Sequence, residues 1–86
     1  MRQHVREAIE KTEKILEAEG ISALVSAYED ISAFTVEINW GDWKHEHARA
    51  KYLIESNGIG KLVKSETTEE DGSDTYSAIH YFIVMG

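Results

Sequence analysis

Apolar side chains recur at helical spacing from the start of the chain. Val5, Ala8, Ile9, Ile15 and Leu16 form one stripe with Thr12 inside it, and charged residues fill the remaining positions. That period predicts an amphipathic helix. Gly20 follows its last turn, where the left-handed conformation ends helices, and Ile21 sits where an apolar contact back to that turn is expected. The period then changes from helical to alternating. A short strand is predicted within 23–28, with 29–32 as its connection. Phe34, Val36, Ile38 and Trp40 alternate with Thr35, Glu37 and Asn39, which is the pattern of a strand with one buried face. Gly41 and Asp42 interrupt it, and Asp42 suits the N-cap of a second helix over about 43–57, closed by Gly58. A third strand is predicted over about 62–68 and a turn over 69–74, with Asp71-Gly72 as hairpin signal. A β-branched and aromatic fourth strand follows over about 75–85.

The order αββαββ reads as one domain made of two αββ units, about 1–40 and 42–86. The segment Ile15-Leu16-Glu17-Ala18-Glu19-Gly20-Ile21 is echoed by Leu53-Ile54-Glu55-Ser56-Asn57-Gly58-Ile59, and Leu24-Val25 by Leu62-Val63. Across the longer second hairpin, Ser32-Ala33-Phe34 falls on Ser77-Ala78-Ile79. This register carries the buried face of strand two onto Ile79, Tyr81, Ile83 and Met85. Both helices are then expected on that side of a four-stranded, mainly antiparallel sheet, giving a two-layer α+β sandwich. Its connectivity resembles a circular permutation of the ferredoxin-like order, a resemblance of architecture that implies no activity.

Composition narrows the function classes. A length of 86 residues allows one domain with a modest core. Cysteine is absent, which removes disulfides and thiolate chemistry and suits a reducing, cytoplasmic setting. The N-terminus runs into a charged helix rather than a signal sequence, and the apolar run 78–85 is too short for a membrane helix. A net charge of −7 argues against direct binding of nucleic acid or anionic membrane and leaves a basic protein as the complementary partner.

Trp40-Gly41-Asp42-Trp43-Lys44-His45-Glu46-His47 is the densest run of chemistry. His45 and His47 lie two apart, so a regular helix points them apart and they cannot chelate one ion; no metal and no cofactor is implied. In the repeat register His47 falls on Ile9 and faces the core, where it needs a hydrogen-bond partner; Tyr81 is the expected one. Trp40, Trp43, His47 and Tyr81 thus form a candidate pocket for a small polar ligand. The same register points His80, Phe82 and Val84 away from the helices, with Tyr76 sharing their parity. An apolar outer face of this kind calls for a cover. The carboxylates of 66–74 lack calcium-loop spacing and form a solvated or partner-facing hairpin. No nucleophile motif or glycine-rich phosphate loop is present.

Together these features read as a non-enzymatic, acidic interaction protein. It is expected to self-associate and to bind a protein partner through the outer sheet face or the acidic hairpin. Its size and charge fit an inhibitor or adaptor from a mobile element. The alternative is a small-molecule-binding domain, or small enzyme, using the pocket around Trp40, Trp43, His47 and Tyr81.

Overall fold

The structure is a computed structural model that describes residues 3–29, 31–38, 43–69 and 76–85. Helix α1 spans Gln3–Ala18, strands β1 and β2 span Leu24–Ala27 and Ala33–Ile38, helix α2 spans Trp43–Ser56, and strands β3 and β4 span Gly60–Glu69 and Tyr76–Val84. Both helices end in the same way. The amides of Gly20 and Ile21 donate to the carbonyls of Glu17 and Leu16, and those of Gly58 and Ile59 to Glu55 and Ile54. These paired bonds need a left-handed residue just past the helix, and the two glycines supply it with φ of 73° and 67°. Among the described residues, no helix is long and apolar enough to cross a membrane.

The strands form one antiparallel sheet in the order β1-β2-β4-β3. This is the order a ferredoxin-like sheet adopts when its first strand moves to the end of the chain. Val5, Ala8, Ile9 and Leu16 of α1 and Ala50, Leu53 and Ile54 of α2 share one buried cluster with Phe34, Val36, Ile38 and Phe82, so both helices cover one face. Strand β2 behaves as its alternation predicts: Phe34, Val36 and Ile38 are fully buried, while Thr35 and Glu37 keep solvent contact. Ile15, expected in the core stripe, is only half-buried against its rim; Leu16 takes the deeper position.

Strand β4 is turned over relative to the repeat register. Antiparallel partners share a face, and the observed pairs are Phe34 with Phe82, Val36 with His80 and Ile38 with Ala78. Ala78, His80, Phe82 and Val84 therefore point toward the helices. Phe82 is 1% exposed and stacks on Phe34 with ring centroids 5.4 Å apart, so it cannot lie on an outer surface. Ile79, Tyr81 and Ile83 occupy the outer face instead.

Two local differences interrupt the repeat. Val25 lies four residues after the buried Ile21, whereas the inward Leu62 lies three after the buried Ile59. The β3–β4 pairing then steps from Leu62↔Phe82 to Lys64↔Tyr81, leaving Val63 as the extra residue of a bulge. The two differences cancel, so Ser65 faces the helices as Ala27 does; the one-residue slip that flips β4 enters where the register is carried across the longer second hairpin.

Candidate functional site

Two groupings of polar side chains stand out, one on each side of the sheet. The first lies under α2. His47 is 8% exposed, as its place on the core side of α2 predicts. Its partner is not Tyr81 but His80, which the turned-over β4 delivers to the same side. His47 Nδ1 lies 2.5 Å from His80 Nε2, and His80 Nδ1 lies 2.7 Å from the hydroxyl of Ser65 on β3. One proton lies between the two rings, and the serine hydroxyl settles which ring owns it. If Ser65 donates to His80 Nδ1, His80 donates from Nε2 to His47; if Ser65 accepts, the direction reverses.

Both orders keep both imidazoles neutral, and the surroundings agree. Burial lowers the pKa of His47. Burial, and then the neighbouring His47, lower that of His80 to about 4.

The chain Ser65–His80–His47 has the order nucleophile, base, orienting group. Its base is poorly matched to that task, because a conjugate acid near pH 4 takes a proton from serine only weakly at neutral pH. Among the described residues no group of three or more His, Cys, Asp or Glu side chains is placed to hold a metal. The relay is a part-buried polar network, closed at its inner end by the bond between the two imidazoles and open to solvent at Ser65.

The second grouping is the outer sheet face. Tyr81 lies here, on the opposite side of the sheet from His47, so the two do not line one pocket. The Tyr81 hydroxyl donates to Glu66 Oε2 at 3.2 Å, and Lys64 Nζ lies 3.1 Å from Glu66 Oε1 and 4.6 Å from the Tyr81 ring centroid. The bond from Lys64 holds Glu66 below the usual carboxylate range. Tyr28 meets Tyr81 edge-on at 5.0 Å and 75°. Ile79 is half-buried beside this cluster, while Ile83 and Leu24 are 48% and 61% exposed. Strand β4 thus carries apolar side chains on both faces, and Ile79, Tyr81 and Ile83 take the outer-face role expected of His80, Phe82 and Val84. Trp40 lies outside the described residues, as do residues 70–74 of the acidic turn expected over 69–74. Only the backbones of Trp43 and Tyr76 are described, at the starts of α2 and β4.

Sequence reasoning missed the His80–His47 contact and the Tyr28–Tyr81–Lys64–Glu66 cluster through the same slip of one residue. The available signal was apolar matching across β2 and β4, since pairing Phe34 with Phe82 fixes the parity of both strands. A scan against protein-family models finds no match to this chain, and a search of curated proteins finds no relative.

Proposed function

We propose that this domain is a non-enzymatic interaction module that self-associates through the outer face of its sheet. The observation that supports this reading most is the apolar strip Ile79, Tyr81 and Ile83 on β4, a central strand whose other face is already committed to the core. A two-layer fold leaves such a face to water unless another layer covers it.

A second copy fits this face by symmetry. The pairings set three rows across the sheet: Glu37, Ile79 and Glu66; Thr35, Tyr81 and Lys64; Ala33, Ile83 and Lys61. A two-fold axis along the Tyr81 row, perpendicular to the strands, lays the Ile79 row on the Ile83 row and the Tyr81 row on itself. Ile79 then meets Ile83 of the second copy, Leu24 meets Tyr28, and Glu66 meets Lys61. Tyr81 packs on itself, and at the β3 end of the axis row Lys64 meets Lys64 of the second copy, each ammonium paired with its own Glu66. An isologous interface needs this self-complementarity, apolar at its centre and opposite in charge at its rim.

Four strands about 4.8 Å apart and roughly six residues long give a footprint of about 400 Å². That is about half of the area per partner in a standard interface, so association is weak and concentration-dependent. With −7 on each copy, added salt strengthens it by screening the overall repulsion. The absence of cysteine suits work in a reducing cytosol.

Sedimentation equilibrium over a wide concentration range tests this reading. The wild type should dimerise, and Ile83→Glu should give a folded monomer. A wild type that stays monomeric at millimolar concentration, or a dimer indifferent to Ile83→Glu, would overturn it.

A further inference from the structure

Among the described residues the sheet has two unpaired edges of unlike character. The β3 edge carries Lys61 and Lys64 and the bulge at Val63, which are the usual obstacles to a further strand. The β1 edge has none of these: Leu24–Ala27 contains no charge, proline or bulge. Its open backbone groups can be assigned. The amide of Tyr28 donates to Ala33, so the hydrogen-bonded positions of this hairpin are Tyr28, Ser26 and Leu24. The amides and carbonyls of Val25 and Ala27 therefore point off the sheet, and their side chains point toward α1.

Beside this edge lies an open groove of about 370 Å³ between the end of α1 and the start of β1. Leu16, Ile21 and Val25 give it apolar walls, and the carboxylates of Glu13 and Glu17 stand at its lip. A second hollow on α1, bordered by Gln3, Arg6, Ile9 and Glu10, shares Glu13 with it, and there Arg6 is already paired with Glu10.

We infer that the free edge of β1 receives an extended cationic segment of another protein as a fifth antiparallel strand. Its backbone bonds to Val25 and Ala27, and its Arg or Lys side chains lie in the α1 groove against Glu13 and Glu17.

The geometry and the charge choose the occupant together. A residue paired opposite Val25 shares its face, so its side chain enters the groove. There a long basic side chain lays its methylenes on Leu16, Ile21 and Val25 and its charged head between the carboxylates. Residues between these point to the outer side, near Leu24, where apolar side chains fit. A second copy of this chain is the wrong occupant: pairing β1 with β1 would bring the Glu13 and Glu17 carboxylates of both copies together. Its groove lies on the helix side of the sheet, so the site does not depend on self-association, and it borders the outer face only at Leu24.

The test uses a fluorescein-labelled hexapeptide alternating arginine and valine, read by anisotropy and by amide shifts of the labelled domain. Binding is expected, with the largest shifts at Val25 and Ala27 and with affinity falling as salt rises. Methylating the arginine amides blocks the bonds to β1 and should weaken binding at least tenfold; methylating the valine amides should leave it within about twofold. Replacing both glutamates (Glu13→Gln with Glu17→Gln) should weaken binding at least fivefold while the circular dichroism spectrum is unchanged. Absence of binding at millimolar peptide would overturn the inference. Equal binding of the two methylated peptides would also overturn it, showing adsorption to an acidic surface rather than strand addition.

Discussion

Replacing Phe82 by alanine, beside the same change at Ile83, tests the orientation of β4 with neighbouring residues. Phe82 is 1% exposed and Ile83 is 48% exposed. Removing a buried phenylalanine costs about 3–5 kcal/mol. The stacked ring of Phe34, itself fully buried, puts this site at the upper end, since an aromatic pair adds about 0.5–1.5 kcal/mol to the burial of its area. At roughly 0.05–0.15 kcal/mol per residue, a domain of 86 residues has about 4–13 kcal/mol in total. Phe82→Ala therefore removes a third of the stability at least and unfolds the domain if its reserve is small. Ile83→Ala, half in water already, should cost about 1 kcal/mol. Urea denaturation at a concentration low enough to keep the protein monomeric reads both values. Equal losses, or a larger loss at Ile83, would refute the assigned parity of β4.

Gly60→Ala should destabilise by about 1–3 kcal/mol in the same melts, because its Cβ would stand 3.0 Å from Phe34 Cε1 and 3.2 Å from the Ile83 carbonyl, and the ring is held by Phe82. Thr12→Val should stabilise by about 1 kcal/mol: the Thr12 hydroxyl is fully buried without a hydrogen-bond partner among the described residues, and valine fills the same volume. A loss of stability at Thr12→Val would mean that the hydroxyl is satisfied. The histidine relay should make the fold acid-sensitive. Its folded pKa values lie below the usual 6.5, that of His80 at about 4, so its contribution is complete above pH 6.5 and is lost as pH falls toward 4. Because His80 keeps some solvent contact, the wild type should lose about 1–2 kcal/mol relative to His80→Gln between pH 7 and pH 4. A pH-independent difference in thermal denaturation would contradict the relay.

The parts of the fold that were legible in the sequence are those where one local rule acts alone. The stripe of α1, the alternation of β2 and the two glycine-closed helix ends each follow from a period or a backbone requirement that needs no distant partner. His47 was legible as a core-facing histidine for the same reason. Strand β4 was not. Ala78, Ile79, Tyr81, Phe82, Ile83 and Val84 are apolar or aromatic without alternation, so its side chains carry no period of their own to choose a face. Its parity is set from outside, by pairing with β2. A repeat register that was right for the helix ends, and again for Ala27 and Ser65, was displaced by one residue on its way to β4. That single displacement exchanged Tyr81 for His80 as the partner of His47, and moved the exposed apolar strip from Phe82 to Ile83.

Contacts across the proposed two-fold axis test the account most directly. Within one copy Ile79 and Ile83 are four residues apart on a strand, about 13 Å, beyond the reach of a proton nuclear Overhauser effect. In a sample mixing isotopically labelled and unlabelled protein at high concentration, isotope-filtered spectra should show the Ile79 methyl of one copy against the Ile83 methyl of the other, with Tyr81 ring protons close to both. If the dimer forms and these contacts are missing, with intermolecular contacts arising instead from α1, α2 or the β1 edge, the outer sheet face is not the surface through which this domain associates.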